Sequence, residues 1–402
     1  MNPELVADAD RFAETVDELS GASAYAVDTE FHRERTYFAQ LALVQLAWDD
    51  RIVLVDPVAV DIAPLAKVFA GDGLAIMHAC RQDLEVLERH CGRLPTRMVD
   101  TQLMAGFVGY VTPSLASLVE RELGTRLPKA DRLTDWLRRP LTDAQLRYAA
   151  SDVAHLVEIE ARLRARLEER GRLPWFDQAM EEMLAESRGP RDPDEAWRRI
   201  KELRHLKGRD LGVARRVAAW RERRAAETDV TPRFVLSDLA VVGVAVARPT
   251  TIEELRAIRG VDGRALRPSV ASELLSVVAD AVENPPRAEA RVVQPELPAE
   301  LRPALPLVSA WVTQVSRDLQ IEGALLATRS DLEEFLRGDP HARLAHGWRA
   351  DVVGTPIRRL LAGEVAIAFE RSGGLLLEPR SGAGGAPAET PSGPPREPPP
   401  GS

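Results

Sequence analysis

Cysteine is nearly absent from the 402 residues: Cys80 and Cys91 occur in no C-x-x-C spacing and in no His/Cys cluster of zinc-site spacing. A disulfide framework and a thiolate zinc site are thereby excluded, and both thiols are expected to be buried and reduced. No apolar run approaches the length of a membrane span, and the opening stretch MNPELVADADRFAETVDELSG has no basic and apolar leader pattern but reads as a loop and an amphipathic helix. A cytoplasmic protein with no membrane partner is expected. Lysine is scarce, with only Lys67, Lys129, Lys201 and Lys207 among 53 basic residues, an arginine bias in keeping with a GC-rich genome. No short-period repeat is visible, which excludes a solenoid. A net charge of −9 excludes a uniformly basic coat.

What is present is enough apolar residue, 45% of the chain, to build more than one core. Composition breaks at 186–197, at 283–303 and from Arg380 onward, where Pro, Gly, Ser and Ala dominate. These breaks predict domains over 1–187, 194–283 and 301–379, followed by a disordered tail over 380–402. In the first domain the strand candidates YAVDTEFH, QLALVQLAW and RIVLVDP follow one another closely, as in a meander. A helix near 63–70, a buried strand LAIMHAC and a helix QDLEVLERHCG come next, and then one long helix from about Asp143 to Arg170, with Thr142 and Gln145 as a capping box and Gly171 as a stop. After Glu195 the chain reads as helical throughout.

Charge is unevenly spread. Between Ala196 and Ala226 there are 11 Arg or Lys against three Asp or Glu, a net of +8, which is the footprint of a polyanion partner. The plainer reading is a solvated helix face laced with ion pairs, and three acids are few for that.

The strand YAVDTEFH raises a physical problem. Residues two apart on a strand share a face, so Asp28 and Glu30 stand about 7 Å apart as like charges, and burying either without a partner costs several kcal/mol. A hard divalent cation with oxygen ligands removes the conflict, and further acids should then converge on this strand. Asp83 at the start of a helix is one candidate, and Asp152, on the same helical face as Tyr148, is another. Taken singly, Asp83 reads as a helix cap and Tyr148 with Asp152 as an ordinary surface pair.

Taken in order, DTEF, HACRQDL and YAASD resemble the three exonuclease motifs of the DEDD superfamily in its tyrosine-bearing branch. The intervening RERTYFAQLALVQLA, LPKADRLTDW and RRPLTDAQLRYAASDVAHL are similar to ribonuclease D. The segment from Asp194 to about Ala281 resembles the helicase-and-ribonuclease-D C-terminal (HRDC) domain, and 301–378, with GWRADVVG, resembles the second helical domain that follows it in many such proteins. Departures are small: Ala39 replaces a frequent Pro, and Thr134 a usual Ser.

The resemblance implies a ribonuclease-H-like α/β exonuclease domain, a mixed sheet flanked by helices, followed by all-α HRDC-type domains. It implies a 3′-to-5′ exoribonuclease that uses two divalent ions, Mg²⁺ or Mn²⁺, to release nucleoside 5′-monophosphates, with tRNA precursors and other structured RNAs as substrates. Asp28 would bridge both ions, Glu30 and Asp152 would hold the nucleophile-side ion, and Asp83 would support the second through water. Tyr148, whose ordinary pKa near 10 makes it a poor base, would aim the attacking water. Phe31 and His78 would contact the terminal nucleotide, and Lys129 and Arg132 the backbone phosphates. In the HRDC-like segment Arg198, Arg199, Lys201, Arg204, Lys207 and Arg209 would add sequence-independent affinity for RNA. Two other readings remain at this point: a 3′ exonuclease acting on single-stranded DNA, and a non-catalytic RNA-binding protein with a relic nuclease fold. A lost carboxylate would mark the latter, and all four are present.

Overall fold

Six strands form one mixed sheet in the order β1-β4-β3-β2-β5-β6: β1 Glu4–Val6, β2 Ala24–His32, β3 Gln40–Trp48, β4 Arg51–Val55, β5 Leu74–Met77 and β6 Met98–Asp100. The expected meander is there, since β2 pairs antiparallel with β3 and β3 with β4, whereas β1–β4, β2–β5 and β5–β6 are parallel. β3 is buried from Leu41 to Trp48, as its apolar sequence, interrupted only by Gln45, requires of a strand covered on both faces. The computed structural model describes residues 3–128, 134–186, 192–285, 296–371 and 373–380. The chain divides into two units, residues 1–295 and 296–402, and the sheet belongs to the first.

Helices α1 Ala9–Ser20, α2 Leu65–Ala70, α3 Arg81–Cys91, α4 Thr101–Gly106 and α5 Leu115–Leu123 precede the segment that carries Tyr148. In α1 the buried row Phe12, Thr15, Val16 and Leu19 recurs at three- and four-residue steps, and the Asp8 carboxylate caps the helix by accepting from the Arg11 N–H. The strand β1 before it went unread because three residues are too few to show a period of two. Cys80 and Cys91 are both buried free thiols, and burial raises their pKa values, that of Cys91 to about 12.

The long helix expected over 143–170 is in fact two: α6 Asp143–Val153 and α7 Leu156–Glu169. The Thr142–Gln145 capping box forms at the start, and Gly171 takes a left-handed conformation (φ 63°) just past the end. The break falls at Ala154 and His155, directly after Asp152, where His155 adopts φ −117°, ψ −2°. No Gly or Pro marks it, and the buried apolar positions Val153, Leu156, Ile159 and Leu163 keep helical spacing across it, so the sequence reads as continuous. The break lets α6 lie on β2, β3 and β4 while α7 lies against β2, β5 and α4.

Arg139 fixes the approach to α6. Its guanidinium makes a two-point contact with the buried Asp56 carboxylate (2.6 Å on each arm) and donates to the carbonyls of Trp136 (2.7 Å) and Ala42 (2.8 Å). Burial pushes the Asp56 carboxyl up, but the Arg139 contact and backbone N–H groups overcome it, leaving the pKa below its ordinary value. Arg139→Ala leaves that buried carboxylate unpaired. Allowing for the partial exposure of the arginine, we expect a loss of about 2 kcal/mol, read as a lower urea midpoint at an unchanged slope.

α8 Leu173–Ala185 follows, and then α9 Gly208–Glu227, α10 Pro232–Val235, α11 Asp238–Ala247, α12 Ile252–Ala257 and α13 Pro268–Glu283, which share a core built on Trp197, Val217, Val241, Leu255 and Leu274. Residues of the first and second expected domains fall in one unit. The reason is the loop over 33–39 between β2 and β3. Asp229 Oδ1 accepts the N–H groups of Tyr37 (3.1 Å) and Phe38 (3.0 Å), Thr231 donates from N to Arg35 O (3.2 Å) and from Oγ1 to Glu34 O (3.1 Å), and the Tyr37 hydroxyl donates to Glu222 Oε1 (2.9 Å).

The second unit corrects the all-α expectation. After α14 Ala304–Leu319, α15 Gly323–Leu326, α16 Arg329–Leu336 and shorter turns, β7 Val365–Phe369 and β8 Leu375–Pro379 form an antiparallel pair. Val365, Ile367 and Phe369 alternate in strand fashion, and Gly373, at φ 92°, supplies the positive φ that the turn needs. Among the described residues no helix is long and apolar enough to cross a membrane.

Candidate active site

β2 is paired with β3 from Ala26 to His32, but with β5 only from Ala24 to Ala26. From Val27 onward one edge of β2 carries no strand, and the first turn of α3 brings Asp83 to that edge. Thr29 Oγ1 donates to Asp83 Oδ1 at 2.5 Å, tying the third residue of α3 to the strand. From the helical layer, α6 brings Tyr148 and Asp152. Ala149 and Ala150 are buried under that helix, and their small side chains let it approach the sheet.

The four carboxylates that the sequence singled out are thus gathered from three elements, and their electrostatics show it. The Asp28 carboxyl is raised well above its ordinary pKa, first by burial and then by the charges of Asp83, Asp152 and Glu30. Glu30 is raised to about 8 by burial and by Asp152 and Asp83. Asp152 is raised to about 7 by burial, partly offset by a hydrogen bond from Tyr148. Asp83 is raised to about 6, again by burial, with the Thr29 hydrogen bond opposing. Four acids crowded at one edge of the sheet, Asp83 buried and the others half-buried, repel one another, and a compensating cation relieves this. The donor set is all oxygen, which suits a hard cation such as Mg²⁺ or Mn²⁺ over zinc. Among the described residues no three acidic, His or Cys side chains are already drawn into a cage. Gln45, the cross-strand partner of Asp28, is fully buried, and neither amide atom has a hydrogen-bond partner among the described residues.

The shifts fix a pH dependence for the metal-free protein. An acid whose folded pKa is raised above its unfolded value holds its proton more tightly when folded, so its contribution to stability is complete below about pH 4 and is lost as pH rises through the folded pKa values of about 6 to 8. Metal-free protein should therefore melt lower at pH 8.5 than at pH 5.5, by a few degrees for each ~2 kcal/mol. Added Mg²⁺ should raise Tm more at pH 8.5 than at pH 5.5. A Tm difference of zero between the two pH values without metal would contradict the carboxylate clustering.

Residues outside the acidic set support it, and three went unread in the sequence. Asp100, at the end of β6, accepts backbone N–H groups from Ala79 and Cys80 (both 3.0 Å) before α3, and from Gln102 (2.8 Å) and Leu103 (3.3 Å) in α4. It shapes the turn that delivers Asp83, in which Ala79 holds φ 55°. The only sequence signal was an acid closing a short apolar strand. His32 Nε2 accepts the Trp136 N–H at 3.0 Å, and the Trp136 ring lies 6.1 Å from that of Tyr148. The third is Thr29, which ties Asp83 to the strand. The Tyr148 phenol is raised above its ordinary pKa, by burial first and then by Asp152, Glu30 and Asp28.

Phe31 is half-buried just past Glu30, where the register with β3 shifts. Both ring nitrogens of His78 have protein partners, Thr101 Oγ1 (3.0 Å) and Pro113 O (3.1 Å), and burial lowers its pKa. Lys129 and Arg132 lie outside the described residues.

The +8 segment is more neutralised than its composition suggests. Arg198 pairs with Glu195, Arg199 with Glu222 (2.8 Å), Arg221 with Asp238 (2.6 Å), Arg223 with Asp194 (2.7 Å) and Arg224 with Glu273 (2.9 Å). Four of those five acids lie outside Ala196–Ala226. Arg204 donates to Lys201 O, and Arg209 to Val282 O at 3.4 Å; Lys201 and Lys207 are exposed.

Comparison with known proteins gives the same picture. A family model described as 3′-5′ exonuclease matches residues 3–168, and one described as HRDC domain matches residues 210–278. Ribonuclease D from Jannaschia sp. (strain CCS1) is 37% identical over 375 residues, covering 88% of this chain and 96% of that protein. Ribonuclease D from Acidiphilium cryptum is 34% identical, covering 91% and 95%. The crystal structure of Escherichia coli RNase D, described as an exoribonuclease involved in structured RNA processing, superposes with a TM-score of 0.78 at 31% identity, covering 90% of this chain and 99% of that one.

Proposed function

The chain belongs to the ribonuclease D family of 3′-to-5′ exoribonucleases, and we propose that it acts through Asp28, Glu30, Asp83 and Asp152 as ligands of two divalent cations, Mg²⁺ or Mn²⁺. The observation that carries this reading is the crowding of four carboxylates from β2, α3 and α6, each with a raised pKa. When bound, the cations supply activation of the attacking water and stabilisation of the leaving 3′ oxygen.

The chain's own groups do the rest. Asp28 would help to hold both cations, Glu30 and Asp152 would hold the one on the nucleophile side, and Asp83 would hold the other. Tyr148 keeps its proton at neutral pH and so aims the attacking water by hydrogen bonding. Phe31 offers a face to the terminal base, while His78, held at both nitrogens, positions the segment around Pro113. The substrates are 3′ ends of tRNA precursors and other structured RNAs, and the products are nucleoside 5′-monophosphates.

Product identity tests the proposal. RNA carrying a label in its last nucleotide should yield labelled nucleoside 5′-monophosphate as the first product in Mg²⁺. A labelled nucleoside or a labelled oligonucleotide would overturn it.

A further inference from the structure

Five arginines of the +8 segment are held by carboxylates, and further positive charge of the first unit lies outside that segment. It gathers around a groove of about 470 Å³ lined by Arg35, Phe234, Arg264 and Arg267 over a floor that includes Val230 and Val270. Arg35, Arg264 and Arg267 are exposed, and among the described residues none of the three pairs with a carboxylate. Arg224, at the same groove, does, through Glu273. Three unneutralised guanidiniums around one groove, in a chain of net charge −9, are arranged for an anion. Phe234 lies among them, half-buried, with Arg233 and Arg264 5.1 and 5.2 Å from its ring centre. Guanidinium planes interleaved with an aromatic ring suit a strand that presents phosphates and unstacked bases in turn.

The groove is also pre-built. Arg35 comes from the loop after β2, and its carbonyl accepts the Thr231 N–H while Asp229 and Glu222 hold Tyr37 and Phe38 beside it. One wall is therefore nuclease loop and the other the α10 helix and the turn before α13. Arg35 is five residues beyond Glu30, so the chain allows at most about 17 Å between them. A strand whose 3′ end lies among the carboxylates passes close to this groove.

We propose that the groove of Arg35, Phe234, Arg264 and Arg267 binds the sugar–phosphate backbone and a base of the RNA strand upstream of its 3′ end. The proposal rests on the exoribonuclease assignment and adds the place where the substrate body is gripped. Its consequence is that both walls act together on long substrates, while a dinucleotide, filling the catalytic site alone, does not reach them.

The test uses the full chain with Arg264→Ala/Arg267→Ala and Arg264→Lys/Arg267→Lys variants. Binding of a single-stranded RNA of about 20 nucleotides is measured by fluorescence anisotropy in chelator over a salt series, and hydrolysis of a dinucleotide is measured in Mg²⁺. The alanine pair should lose about 10-fold more on the long RNA than on the dinucleotide. Its slope of log affinity against log salt should be shallower by about 1.4, or ~0.7 for each phosphate no longer neutralised, and the lysine pair should restore that slope. An unchanged slope overturns the proposal, as it would if the groove held an acidic protein segment. Equal losses on both substrates also overturn it, by showing that the arginines serve the fold. Failure of the wild-type protein to hydrolyse either RNA would count against the exoribonuclease assignment instead, and the binding series still decides the groove.

Discussion

Asp28→Asn is expected to lower the maximal rate of RNA hydrolysis by about 10³-fold or more, some 4 kcal/mol of transition-state stabilisation, with RNA affinity in chelator nearly unchanged. The substitution keeps the shape of the side chain and removes one negative charge from the member of the cluster that feels all three of the others. If the carboxylates hold cations, the lost charge falls at the shared ligand, where no neighbour replaces it. A useful side effect follows from the same electrostatics: with one repulsive charge gone, the metal-free variant should be more stable than wild type at pH 8.5. Single-turnover hydrolysis and thermal melting read the two effects separately. A variant with near-normal turnover would remove the metal-based reading.

Tyr148→Phe should lower the same rate by about 10²-fold while leaving Mg²⁺ affinity unchanged. The half-buried phenol hydrogen-bonds to Asp152, and its burial, the first cause of its raised pKa, persists whatever ions are bound. A tyrosine that keeps its proton at neutral pH is a poor base there, and the role proposed for it is a directed hydrogen bond. The phenyl ring of the variant retains the packing against Trp136, whose ring is tilted 39° to that of Tyr148. Loss of Mg²⁺ binding in a calorimetric titration would contradict the orienting role and make the residue part of the ion site.

How much of this was legible in the sequence depends on how local each feature is. β2 could be read because its alternation and its two acids lie within nine residues. The capping box of α6 lies within four. The break after Asp152 could not be read: helix, turn and helix carry one continuous apolar stripe, and only their packing, α6 toward β3 and β4 and α7 toward β5 and α4, shows that they are separate. Asp100 was invisible for the opposite reason, since its four backbone partners come from stretches 20 residues apart that only the sheet brings together. The charge count over Ala196–Ala226 overstates the free charge of that segment because ion pairing does not respect a sequence window. Asp194, Glu195, Asp238 and Glu273 supply partners from outside it, while Arg35, Arg264 and Arg267, which pair with no carboxylate among the described residues, also lie outside it. Likewise the clamp on the 33–39 loop joins residues nearly 200 positions apart, a relation that no periodicity encodes.

The central claim is that four carboxylates on β2, α3 and α6 make this chain a cation-dependent enzyme that shortens RNA from its 3′ end. The most direct measurement is a time course on 5′-labelled single-stranded RNA, beside a matched DNA, with Mg²⁺ and with a chelator in its place. The account predicts a ladder of RNA products that shorten one nucleotide at a time from the 3′ end in Mg²⁺, and intact RNA in the chelator. The same ladder in the chelator, or immediate release of the labelled 5′ nucleotide, would contradict it.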